Sequence, residues 1–234
     1  LQTAVNQAGE HGHEILMQAF IGGVPLGIEA VFWEGRCLAT FLMDDTLAPP
    51  FPSPVGHAYP SLQSPEVHDQ VHELISDCGR ALDMVSGGLN VDLRLTPSGP
   101  VILEINPRPG GAAIAQLLRL GAGVDLDCAA VSCALGDDPT PHLRVETRQP
   151  VASRMFVDQT MPQNINPLHA VQELGQQAAV ADLQATFRPN VQPPTVDEWY
   201  ILGRCLVVGT TSTDAIRRAD DINAAFLRAL GRTS

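Results

Sequence analysis

At 234 residues, with 44% hydrophobic and 17% charged residues, the chain has the composition of a folded globular protein, which excludes intrinsic disorder. A net charge of −12 excludes a non-specific grip on nucleic acid, and no run approaches the roughly 20 apolar residues of a membrane span. All 14 basic residues are arginine, which excludes Schiff-base chemistry and any phosphate loop built on a lysine. The five cysteines form no C-x-x-C pair and no secretory signal opens the chain, so they read as reduced thiols of a cytoplasmic protein. Because the chain opens on Leu1, a processed or partial polypeptide is one expectation from the outset.

In chain order, residues 1–13 read as the end of a helix and Glu14 to Ile21 as a short apolar strand closed by Gly22-Gly23. Leu26–Phe32 and Arg36–Met43 alternate as two strands joined by a turn at Glu34-Gly35. Residues 47–65 carry prolines at 49, 50, 52, 54, 60 and 65, and the missing amide donors predict a loop without regular structure. Ser64-Pro65 starts a helix whose stripe is Val67, Val71, Leu74, Cys78, Leu82 and Val85, ended by Gly87-Gly88. A hairpin over 89–106 follows, then helices near 112–120 and 125–135. Residues 136–150 read as a joint, and strands near 151–157 and 201–208 and a helix near 212–230 lie beyond it. The predicted units are therefore 1–142 and 143–234.

The segment from Asn90 to Gly111, N-V-D-L-R-L-T-P-S-G-P-V-I-L-E-I-N-P-R-P-G-G, carries the chemistry. A three-residue loop at Pro97-Ser98-Gly99 sets Asp92 opposite Glu104, Asn90 opposite Asn106 and Arg94 opposite Ile102. Period-2 alternation then places Asp92, Glu104, Asn106 and Arg108 on one face and Val91, Leu93, Leu103 and Ile105 on the other. Two carboxylates paired across a ladder repel unless a cation lies between them. Magnesium suits a site of few carboxylates with positions open to phosphate oxygens, and Arg108 offers a planar fork to a phosphate or carboxylate. Gly110-Gly111 lets the backbone approach an anion ahead of the next helix.

The string L-E-I-N-P-R-P-G-G, with an acidic residue twelve positions before its glutamate, resembles the magnesium site of the ATP-grasp ligases. The resemblance implies an α/β (α+β) ATP-grasp fold, here its C-terminal portion, with an antiparallel sheet, packed helices and a small α+β subdomain. It implies ATP and magnesium (or manganese) as cofactors, with Asp92, Glu104 and Asn106 as metal ligands. Asp92 and Glu104 then serve the nucleotide through that metal, and Arg108 steadies an acyl phosphate. Residues Gln18, Ala19, Phe20 and Ile21 resemble the hinge whose backbone pairs with adenine, although glutamate is usual at Gln18 and at Pro25; Glu29 matches. The loop G-H-A-Y-P-S, Gly56 to Ser61, resembles that of L-amino-acid ligases and makes His57 a catalytic and substrate-side residue, with Arg108, Gly110 and Gly111 beside the substrate.

These readings together predict an ATP-dependent carboxylate–amine ligase acting on small molecules, amino acids among them, with no nucleic-acid or membrane partner. Family members place a lysine-bearing lid before the hinge, and this sequence has no lysine. A missing N-terminal segment, a second chain supplying it, or a degenerate relative follow as alternatives, and the chain alone is expected to be a poor catalyst. A homo-oligomer also stays open. A non-catalytic nucleotide-binding module is the rival reading; a magnesium-dependent hydrolase leaves the hinge and the glycine pair without a role. His68 and His72 stand at the i, i+4 spacing of some zinc sites, but no further ligand completes them, and His11 and His13 are equally isolated.

Overall fold

The computed structural model describes residues 17–49, 53–111, 113–159, 167–177, 179–186, 195–196 and 199–231. The expected helix over 1–13 and the start of the expected strand, 14–16, lie outside the described residues. Met17 to Gly22 is irregular rather than a strand, and Phe20 is 92% exposed.

Strands β1 (Val24–Trp33) and β2 (Arg36–Thr46) form the expected hairpin about Glu34-Gly35. β4 (Gly87–Thr96) and β5 (Gly99–Asn106) form the second, and β3 (Gly56–Tyr59) rises inside the stretch expected to lack structure. Prolines crowd that stretch, but none falls within β3 itself, so its donors and acceptors are free to pair with β2 and β6. β6 (Val151–Asp158), β7 (Val180–Ala185), β8 (Thr195–Val196) and β9 (Trp199–Val208) complete an antiparallel sheet in the order β5-β4-β1-β2-β3-β6-β9-β7, with β8 beside β9. Ala58 pairs with Ala152 and Tyr59 with Val151, so the sheet runs unbroken from residues before 142 to residues after it.

Three apolar clusters hold helices to this sheet. Helix α1 (Pro65–Ala81) begins with proline at its first turn, as expected, and buries Val71, Ile75 and Gly79. It packs on a face built from Leu26, Ile28, Ala30, Phe32, Leu42, Leu89, Val91 and Leu93. The helix stops four residues before the expected stripe ends, and Leu82 and Val85 are exposed. On the opposite face α2 (Ile114–Ala122) and α3 (Leu126–Leu135) cover Val31, Phe41, Met43 and Tyr59. The stretch read as a joint contributes Leu143 to that core, and the amides of Glu146 and Gln149 donate to the carbonyls of Ala122 and Gly121. Helix α5 (Ser212–Ala229) packs on β6 and β9, and α4 (Pro167–Gly175) on β7 and α5, in one cluster that includes Ala170, Phe156, Leu202, Ala219 and Phe226. Thr211 caps α5 by accepting from the Asp214 amide. All five cysteines are free; Cys205 is buried and Cys128 is exposed. Among the described residues no helix is long and apolar enough to cross a membrane.

Candidate metal and nucleotide site

The face that carries α2 and α3 extends past them, and there its inward residues change from apolar to acidic. On β1 the alternation runs Gly27, Glu29, Val31; on β2 it runs Asp45, Met43, Phe41. The pairings Gly27↔Asp92 and Asp92↔Glu104 continue the row onto β4 and β5; on β2 Gly27 pairs with Met43, and Asp45, two residues further on and paired with His57 of β3, reaches diagonally to the space over Gly27. His57, Asp45, Asp92 and Glu104 thus lie along one strip of four strands. A second row, Glu29↔Asn90↔Asn106, lies beside it.

The expected pairing of Asp92 with Glu104 and of Asn90 with Asn106 holds, but the tip of the hairpin differs. Its loop is two residues, so Thr96 faces Gly99 and Arg94 faces Val101. A bulge between Asp92 and Leu93 absorbs the difference and leaves Leu103 44% exposed instead of on the apolar face. Leu103 joins Asp45, Asp92, Arg94, Glu104 and Pro54 around a cavity of about 190 Å³.

Burial first, then the charges of Asp45 and Glu104, pushes the Asp92 carboxyl above its ordinary range. Among the described residues no three His, Cys, Asp or Glu converge on one point. The donor set is two facing carboxylates and an amide, with Asn106 half-buried and Glu104 exposed. Repelling carboxylates on an open face, short of a complete ligand cage, fit a hard divalent cation that takes its remaining oxygens from phosphate and water.

Glu29 is the more deeply placed acid, 2% exposed. It accepts from Asn90 Nδ2 at 2.8 Å and from the Gly110 amide at 3.0 and 3.1 Å to its two oxygens. Burial outweighs these bonds and the charges of His57 and Arg108, and its carboxyl is pushed up to about 7. Gly110 is required by this approach, since a Cβ there would stand 2.2 Å from Glu29 Oε1 and 2.8 Å from Ile114 Cδ1. The Gly110 amide, expected to face a bound anion, is held here by the Glu29 carboxyl. Gly111 is exposed with no atom near its would-be Cβ. Arg108 is exposed and donates from Nη1 to the Pro109 carbonyl at 3.0 Å.

His57 is buried on β3, its amide donating to Ser153 Oγ at 3.1 Å and its Nδ1 lying 2.6 Å from Asp45 Oδ1. The end of its loop is tied down by Asp44, which accepts from Ser61 Oγ at 2.9 Å and from the Leu62 amide at 2.6 Å. The structure therefore brings His57, Glu29, Asp92, Glu104 and Asn106 onto one face. Gln18, Ala19 and Phe20 are exposed and Ile21 half-buried, in an irregular segment unpaired with any described strand. His72 accounts for itself through Thr40 Oγ1 at 3.2 Å. Sequence reasoning passed over Asp45; the signal was its place in the alternation Phe41, Met43, Asp45, which aims it to the side of Asp92.

This sheet, with two helices on one face and an acidic hairpin at its edge, has the architecture of the ATP-grasp fold. Residues 2–112 match the ATP-grasp domain family. Among curated proteins, carnosine synthase 1 of Gallus gallus is 34% identical over 146 residues, covering 62% of this chain and 16% of that protein. The solved L-amino acid ligase from Bacillus licheniformis aligns at a TM-score of 0.73 and 17% identity, over 88% of this chain and 54% of that one. A carboxyaminoimidazole ribonucleotide synthase from Aspergillus clavatus, complexed with ATP, aligns at 0.69 and 15% identity, over 91% of this chain and 52% of that one. The chain thus spans about a sixth of the curated relative and about half of each solved chain.

Proposed function

We propose that this chain carries the metal–nucleotide face of an ATP-dependent carboxylate–amine ligase. The observation that carries the reading is the cross-strand pair Asp92 and Glu104 with Asn106 two residues on, open to solvent on the edge hairpin. Asp92, Glu104 and Asn106 would hold a divalent metal, magnesium or manganese. When bound, that metal neutralises polyphosphate charge so that a terminal phosphoryl group can pass to a substrate carboxylate.

The remaining steps fall to the chain's own groups. Arg108, whose fork has no acidic hydrogen-bond partner among the described residues, holds the acyl phosphate and the oxyanion that forms when an amine attacks it. An amide or peptide bond results, with ADP and phosphate released. Glu29 fixes the chain at Gly110 and so sets where the segment after Arg108 departs from β5. His57 borders the same strip and lies on the substrate side. Amino acids are the substrates that the G-H-A-Y-P-S loop and the likeness to carnosine synthase and L-amino acid ligase favour. The backbone of Gln18 to Ile21 would pair with adenine.

A specific observation favours a second reading. The sequence has no lysine to hold nucleotide phosphates, so a non-catalytic nucleotide-binding module, or a subunit completed by another segment, has the same site. Calorimetric titration with ATP and magnesium tests the shared core of both. The native chain binds ATP only with magnesium and Glu104→Gln loses that dependence; identical behaviour of the two removes the site.

A further inference from the structure

We propose that Asp45 is a positioning residue for His57, holding the ring with Nδ1–H donated to its carboxylate and Nε2 bare on the acidic strip.

Asp45 and His57 face one another across β2 and β3, their side chains 2% and 8% exposed, with Nδ1 and Oδ1 at 2.6 Å. A carboxylate accepts and does not donate, so the ring nitrogen against it carries the proton. The other end of His57 is pinned through its backbone: Ser153 Oγ accepts from its amide at 3.1 Å and donates to its carbonyl at 3.4 Å. Neither partner can swing away without leaving a buried polar group unpaired.

Asp45 reaches this place because β1 offers no side chain there. A Cβ on Gly27 would lie 2.9 Å from Asp45 Oδ1 and 3.2 Å from Oδ2. Gly27 is also the β1 residue paired with Asp92, so the gap that admits Asp45 lies in the same row as the metal-binding acids. Asp45 lines one cavity with Asp92 and Glu104, so the ring that it holds stands beside the acidic strip. A carboxylate behind an imidazole fixes its tautomer and leaves the far nitrogen as the acceptor.

Resting on the ligase reading, this gives Nε2 a task. It takes one proton from the ammonium form of the attacking amine; the freed nitrogen lone pair forms the C–N bond, the phosphate leaves with the C–O electrons, and the second proton shed by the nitrogen goes to that phosphate, which departs as hydrogen phosphate. The imidazolium so formed has Asp45 as its counter-charge.

Nitrogen-15 NMR of the histidine ring on the native chain at pH 8, with His57 identified by its loss in His57→Gln, reads the tautomer without nucleotide or turnover. The expected result is a proton on Nδ1 and none on Nε2. Asp45→Ala shifts the ratio of the two tautomers toward Nε2–H by at least about tenfold, the scale of one hydrogen bond to a charged partner. Gly27→Ala, which crowds Asp45 without removing it, moves the ratio the same way by less. A proton on Nε2 in the native chain, or a ratio that ignores both substitutions, overturns the proposal. If the tautomer is as expected while ATP and magnesium fail to bind, the positioning stands and the ligase reading falls.

Discussion

The two faces of strands β1, β2 and β4 are made from alternating residues of the same segments, yet they have opposite tasks. One face, with Leu26, Ile28, Phe32, Leu42 and Leu93, is mostly apolar and closed by α1, with Thr40 and Asp44 as its polar members on β2. The other is apolar only where α2 and α3 cover it, at Val31, Phe41 and Met43, and acidic beyond them, at Glu29, Asp45 and Asp92. A sheet can afford facing carboxylates only because the other side of the same strands supplies the burial that offsets them. The comparison teaches that stability and chemistry are separated here by a single residue step along each strand.

Substitutions can break that separation in order of size. Phe32→Ala, on the closed face, lowers unfolding free energy by about 3–5 kcal/mol in urea denaturation and disturbs metal binding only through loss of the fold. Glu29 gives a pH-dependent effect of similar scale. Its carboxyl is raised from an ordinary 4.5 to about 7, so between those values the folded state holds more protons than the unfolded. Stability is therefore full below pH 4.5 and falls by about 3 kcal/mol as pH rises through 7. Denaturation curves at pH 5 and 8 show this fall in the native chain and a flatter profile in Glu29→Gln. Gly110→Ala drives a methyl group against Glu29 and Ile114 and costs about 1–3 kcal/mol, read in the same assay. Asp92→Asn has the smallest effect on folding and the opposite sign. Removing one of two facing charges raises metal-free stability by about 0.2–1 kcal/mol while abolishing magnesium-dependent ATP binding, as calorimetry would record.

Much of this was legible in the residues, for local reasons. The hairpin of β4 and β5 is set by alternation and a short turn, and the pairing of Asp92 with Glu104 follows from those alone. The register near the tip was not, because the bulge after Asp92 restores with one extra residue what the shorter loop removes. β3 was hidden by the prolines around it, and it exists through β6, whose paired residues lie more than ninety positions away. Asp45 was missed for the same reason: its partner His57 sits on a strand that only tertiary pairing creates. The helix stripe of α1 drifted from Cys78 and Leu82 to Ile75 and Gly79, since tertiary packing against Phe32, not periodicity, decides which face is buried. At Met17 to Ile21 an apolar run suggested a strand, but no neighbouring edge pairs with it.

The most direct test of the account is the unfolding stability of the native chain and Glu104→Gln, each measured with and without ATP and magnesium. The account predicts that the variant is at least as stable as the native chain without ligand. With ligand at 100 times its dissociation constant, the native chain gains about 2.7 kcal/mol and the variant does not. An equal gain in both, or none in either, would contradict the claim that the acidic end of this face is the metal–nucleotide site.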